Sequence, residues 1–320
     1  MSVQKFAVRA LAAASLALAA ASACAADTIV WTESTGFVRT YGVAAATPPG
    51  AAAQLMWDQT KIKGPNGVEF IDGRIWWTNQ QQMLISTGVG IARNRYSIGS
   101  SLPDGTDARV ISTGSTIPYD VDIQGGTLYW TDQNGGTIWT LNPSLAVPSS
   151  SVFLTSGITP EVASPFAIDA TAGGVYWSQV GSSSASNRIM RANLDGSNIT
   201  TLLTGIQSYD FEVVGSQIFY TTTDGFVKRS ELDGSNLVTL ASGQGFLNGI
   251  DVTGDSIYVS VLSGTFEGPG FTTLGAGRIR KMNLDGSGDV ELIVGQQNFT
   301  SGVVFDPAQI RGVAVLTAPV

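Results

Sequence analysis

Six short apolar runs of this chain end in a carboxylate: Val68-Glu69, Val121-Asp122, Ile168-Asp169, Phe211-Glu212, Ile250-Asp251 and Phe305-Asp306, spaced 39–55 residues apart. Eight residues beyond the first five acids stand Trp77, Trp130, Trp177, Tyr220 and Val259, each inside a β-prone run such as Leu128-Tyr129-Trp130-Thr131. Aromatic and β-branched residues bounded by Gly and Asp mark strands. The constant offset makes each pair a strand–turn–strand unit. One such unit cannot bury its own apolar faces, so a chain that repeats it must stack the copies.

A third and fourth strand follow in most repeats, joined by an Asp-Gly turn. The clearest copies run into Leu194-Asp195-Gly196-Ser197, Leu232-Asp233-Gly234-Ser235 and Leu284-Asp285-Gly286-Ser287. Four antiparallel strands at this period predict an all-β fold, a β-propeller. Six acidic strands predict six blades. The run from Asp27 to Glu33 resembles a second strand without its first. The stretches Gly36–Tyr41 and Ala53–Trp57 then supply strands three and four. The expected first strand of that blade is Gly302–Asp306, so strands from both termini would close the ring and remove exposed edges. Residues 313–317 are an additional strand that this scheme does not use, and seven blades are the alternative.

The remaining residues bound compartment and chemistry. Residues 1–25 have the form of a signal peptide: Lys5 and Arg9, an apolar run from Leu11 to Ala21, then small residues around Ala23-Cys24-Ala25. That leaves 26–320 as one propeller domain, secreted or periplasmic; the alternative is lipid anchoring through Cys24. No run approaches the roughly 20 apolar residues of a transmembrane helix. Net charge is −8, or −10 once Lys5 and Arg9 are removed, and no basic run exists, which argues against nucleic acid as a partner. The chain has no histidine, and its one cysteine lies in the signal region. Ser-His-Asp, Cys-His and His-metal chemistry are thereby excluded, while carboxylates and oxygen-ligated metals remain.

Around Tyr129-Trp130-Thr131-Asp132 the chain resembles the YWTD-repeat propellers of the low-density lipoprotein receptor group. Weaker copies are Trp76-Trp77-Thr78-Asn79, Tyr176-Trp177-Ser178-Gln179, Val30-Trp31-Thr32-Glu33, Phe219-Tyr220-Thr221-Thr222 and Tyr258-Val259-Ser260-Val261. The resemblance spans about residues 27–310 and implies a six-bladed, non-catalytic module that binds proteins. The receptors' cysteine-rich modules are absent, so a receptor role is not implied.

Two sets of residues are candidate sites. Glu69, Asp122, Asp169, Glu212, Asp251 and Asp306 would ring the channel; they are metal candidates for Ca²⁺ or for a hydrolase or lactonase. Repetition in every blade argues instead for inter-blade hydrogen bonds. Three residues before the acids stand Tyr119, Phe166 and Tyr209, against Asn66 and Asn248, at the channel mouth. An aromatic rim there suits a protein, peptide or glycan ligand. Long connections after Trp77 and Tyr258 fall on the same face, the second carrying Phe266 and Phe271. A non-catalytic binding module without a cofactor is the leading expectation. The alternatives are the Ca²⁺-dependent hydrolase and an envelope or matrix scaffold.

Overall fold

The computed structural model describes residues 27–33, 37–43, 54–57, 64–86, 91–114, 117–145, 149–156, 163–181, 186–262, 277–294 and 310–316. These form 24 strands arranged as six four-stranded antiparallel sheets. Five sheets are continuous in sequence and span 65–114, 118–155, 165–204, 211–241 and 246–294. The sixth joins the two ends of the chain. Its strands β1 (Asp27–Glu33), β2 (Phe37–Val43) and β3 (Gln54–Trp57) follow one another, and the strand Ile310–Leu316 pairs on the free side of β1.

That pairing corrects the expected closure. The strand paired on the free side of β1 is Ile310–Leu316, in place of 302–306; Trp31 faces Val313 and Val30 faces Ala314. In the other sheets the residue before the motif aromatic faces the acid, as Tyr129 faces Asp122 and Tyr176 faces Asp169. Ala314 therefore stands where the acid would be. Asp306 lies outside the described residues. The segment outside the expected scheme is the inner strand, and every described strand belongs to one of the six sheets.

Within a sheet, chemistry of the turns sets the register. The first hairpin of the 118–155 sheet turns at Gly125-Gly126, both at positive φ (57° and 73°). A two-residue turn of that hand matches the right-handed strand twist, and glycine reaches it without a Cβ clash. In the Asp-Gly-Ser turns, Ser197, Ser235 and Ser287 each donate a backbone N–H to Asp195, Asp233 and Asp285 at 2.9 Å. The hydroxyls of the same serines first, and then these N–H groups, hold the three exposed carboxyls below the usual range. The Asp residues act as turn formers.

Between sheets, apolar packing closes the assembly. Each of six buried clusters draws on two neighbouring sheets, and five of them contain a motif aromatic, Val259 taking that place in the sixth. Trp130 packs with Trp76 and Ile98 of the preceding sheet, and Trp177 packs with Tyr129, Ile138 and Leu154. The last cluster brings Trp31, Val313 and Val315 of the terminal sheet against Tyr258 and Ile279 of the 246–294 sheet, so the interfaces run in a complete circuit. The architecture is an all-β propeller with four-stranded antiparallel blades.

Packing around the motif tryptophans leaves no slack. Gly99 lies opposite Trp77, and a Cβ there would come within 2.2 Å of the indole ring. Gly99→Val is expected to cost roughly 1–3 kcal/mol. Denaturant unfolding checks this, and an unchanged midpoint would contradict it.

Candidate functional site

The inner strands start at one mouth of the channel and run toward the hairpin turns at the other. Each inner strand except Phe211–Val214 carries an irregularity in its pairing near its start: between Pro65 and Val68, Pro118 and Val121, Pro165 and Ile168, Leu247 and Gly249, and across from Trp31 and Glu33. The hydroxyl of the motif fills this gap. Thr131 Oγ1 accepts the backbone N–H of Asp120 at 3.2 Å and donates to the carbonyl of Phe166 in the next blade. Thr78 does the same between Gly67 and Tyr119, and Thr32 between Gly312 and Asn66. In these three blades the third letter of the repeat is thus a bridge to the next blade. Thr131 is fully buried, so Thr131→Val strands a donor and an acceptor together and should cost about 1–3 kcal/mol. Equal thermal stability of wild type and variant would refute the bridge.

The acids make a second set of bridges. Asp122 accepts the N–H of Ala170 at 2.5 Å, Asp169 that of Val213 at 2.5 Å, and Glu212 that of Val252 at 2.5 Å. Asp251 accepts from Val315 of the closing strand. In each case one carboxylate oxygen ties an inner strand to its neighbour. Two further acids, not singled out by the repeat, add a tier above: Asp120 accepts from Ile168 at 2.9 Å and Asp210 from Ile250 at 2.8 Å. The spacing Asp120-Val121-Asp122 and Asp210-Phe211-Glu212 was their visible signal. The other blades carry Gly67, Ala167, Gly249 and Gly312 at that position.

The repeated acids line a cavity of about 320 Å³, with Glu69, Asp122, Asp169, Glu212 and Asp251 on its wall beside apolar groups such as Val315. Burial pushes Asp120 and Asp169 up to about 7 against the bonds they accept. Burial also raises Asp122, with the charge of Asp169 adding to it, and Asp210, with that of Asp120. Glu69 and Glu212 rise for the same two reasons, their charged neighbours including Asp122 and Asp251 respectively. The ion pairs of Asp107 with Arg74 and Arg109, and of Arg278 and Arg280 with Asp289 and Glu291, lie outside this cavity. Among the described residues no three acids converge closely enough to chelate a metal ion.

At the opposite mouth, rings from consecutive blades touch. Tyr119 meets Phe166 edge-on at 4.7 Å, Phe166 meets Tyr209 at 5.0 Å, and Tyr209 meets Phe246 at 5.4 Å. Tyr119, Tyr209 and Phe246 are half-buried, whereas Phe166 is buried. Phe246 was missed because it lies five residues before Asp251, out of step with the other three. Among the described residues, the rest of the mouth has no ring in this series. Asn66 is buried and donates to the carbonyl of Tyr119 at 3.0 Å, Asn248 is buried, and Arg311 holds the corresponding position on the closing strand. Phe266 and Phe271 lie outside the described residues.

No family model matches the sequence, and no curated protein matches it. Among solved structures, a chain of a nidogen/laminin complex matches over 90% of this chain and 98% of its own length, with a TM-score of 0.66 and 15% sequence identity. The fold is a propeller. At that identity the likeness extends to the fold alone, and the residues of the channel and mouth have to be judged on their own chemistry.

Proposed function

We propose that this protein is an exported, six-bladed, YWTD-type propeller that binds a protein partner at the mouth carrying Tyr119, Phe166, Tyr209 and Phe246, without catalysing a reaction. The observation that carries this reading is the arc itself. Three large rings keep part of their surface open on one side of the channel although every inter-blade core is sealed. Tyrosine and phenylalanine supply rigid contact area at small entropic cost, the property that makes them anchors of interfaces. The carboxylates that a hydrolase would use are engaged with backbone N–H groups of the next blade. The propeller of similar fold comes from a nidogen/laminin complex, an assembly of proteins. Export rests on the charged, apolar and small-residue segments of 1–25.

A peptide library displayed on phage, selected on the wild type and counter-selected on Tyr119→Ala/Tyr209→Ala, tests the reading. Enriched sequences should bind the wild type at least ~10-fold more tightly than the double variant, as expected when anchors are truncated. Enrichment that ignores the double substitution would move the site elsewhere.

A further inference from the structure

Independently of the aromatic mouth, we infer that the far end of the propeller is a second docking face, whose partner is a protein surface presenting lysine or arginine among apolar side chains. Strand directions define this end. The inner strand of each blade runs away from the mouth, the second returns and the third runs away again. The turn joining first to second strands and the turn joining third to fourth therefore lie together. Every large apolar side chain that the described residues leave exposed stands at this end. Leu102, Leu145, Leu194 and Leu237 sit in or beside the turns between third and fourth strands, and Val152 and Val290 near the start of fourth strands. Leu145, Val152, Leu237 and Val290 keep 49–57% of their surface exposed. A single exposed leucine is ordinary, but apolar side chains gathered at one end of consecutive blades mark an interaction surface.

The surface is also rigid. Three of the Asp-Gly turns seat on the fourth strand of the preceding blade: a Cβ on Gly196 would come within 3.6 Å of Leu154, one on Gly234 within 3.0 Å of Leu203, and one on Gly286 would meet the carbonyl of Leu240. Consecutive turns are thereby fixed against one another, and a preordered surface loses little entropy on binding.

Charge selects the partner. The turns carry Asp104, Asp195, Asp233 and Asp285, all exposed. Hydrogen bonds from Thr106, Ser197, Ser235 and Ser287, the hydroxyl first, hold these carboxyls below the usual range, so they stay ionised in mild acid. Among the described residues the exposed cation at this end is Arg109, already paired with Asp107 at 2.8 Å. The face is thus apolar and acidic at once. An anionic bilayer repels it, and a second copy meeting it through the same face would set aspartate against aspartate. A basic surface with apolar groups to cover the leucines is its complement.

The experiment uses the full-length chain and three peptides of about five helical turns, followed by fluorescence anisotropy. One is amphipathic with leucine and lysine faces, one carries glutamate in place of lysine, and one scrambles the lysine sequence so that no apolar face forms. The amphipathic lysine peptide should bind at least ~10-fold more tightly than the other two. Leu145→Ser/Leu237→Ser, at exposed positions, should weaken it ~10-fold. Asp195→Asn/Asp233→Asn/Asp285→Asn keeps an acceptor in each turn, removes the charge, and should weaken binding ~10-fold and flatten its salt dependence. Melting curves of the variants confirm that each is folded. Tyr119→Ala/Tyr209→Ala should leave this binding unchanged, so the inference and the reading of the mouth fail separately. Equal binding of the scrambled peptide, or binding indifferent to the leucine and aspartate substitutions, overturns the inference. Loss of binding in the tyrosine double variant moves the peptide to the mouth and overturns it too. Suppose instead that the protein co-sediments with phosphatidylcholine–phosphatidylglycerol vesicles, or dimerises in the ultracentrifuge, and that Leu145→Ser/Leu237→Ser abolishes this. The occupant would then be a membrane or a second copy, against the inference.

Discussion

Trp177→Ala should be among the most destabilising single substitutions in the chain, at about 3–5 kcal/mol. Trp177 is completely buried and lies in the cluster that joins the 118–155 blade to the 165–204 blade. Its neighbours Tyr129, Ile138 and Leu154 come from one sheet, and Ile168, Val175 and Met190 from the other. A sheet has only two faces, so the cavity left by the indole opens at the junction itself, where neither blade can collapse into it. Melting should fall by roughly 10 °C in a domain of this size. Trp177→Phe should recover part of the loss by refilling volume. Leu145→Ala, at an exposed position, is the control and should shift stability by no more than about 0.5 kcal/mol. A Trp177→Ala loss below about 1 kcal/mol would mean that the clusters do not bear the inter-blade cohesion assigned to them.

The protein should be more stable in mild acid than in mild base. In the fold Asp120 and Asp169 titrate near 7, and Asp122, Asp210, Glu69 and Glu212 are also raised by burial. The unfolded chain releases these protons near its ordinary carboxyl values, about 4. Between those values the native state holds more protons than the unfolded one, so stability falls as pH rises. The contribution is complete below about pH 4 and is lost as pH passes through about 7. Tm should therefore drop by roughly 5 °C or more from pH about 5 to about 8.5. Glu212→Gln isolates the effect. The amide oxygen can still accept the N–H of Val252, while the charge is gone. At pH about 8.5 the variant should melt above the wild type, and at pH about 5 the two should nearly coincide. A flat wild-type profile, or a Gln variant that is less stable at both pH values, would show that the carboxylates are ionised without penalty.

The same groups explain how far function could be followed from residues alone. The repeated acids were candidates for a metal ring, yet their regular placement already argued for blade-to-blade hydrogen bonds, and Asp122, Asp169 and Glu212 each make one. The rim was legible through Tyr119, Phe166 and Tyr209, because their common offset from the acids betrays them. Asn66 shares that offset but is buried and serves the neighbouring blade. Phe246 reaches the arc from a different offset, through the register of the 246–253 strand. Sequence spacing measures distance along one strand, whereas the rim is assembled across strands.

The sequence by itself determined the repeat unit, its four strands, the turns that join them and the absence of histidine and thiol chemistry in the folded domain. These are local matters: strand periodicity, glycine at positive φ and the composition of each turn act within a few residues. Only the tertiary structure decided which C-terminal segment closes against β1. The runs 302–306 and Ile310–Leu316 are both apolar and β-prone, and the hydrogen-bond register with Trp31, together with the packing of Val313 and Val315 on Tyr258, places the second there. With it came Ala314 at the position of a carboxylate, leaving one gap in the ring of acids. The tertiary structure also set the charge state of that ring, because burial and like-charged neighbours arise only when strands distant in sequence converge on one channel.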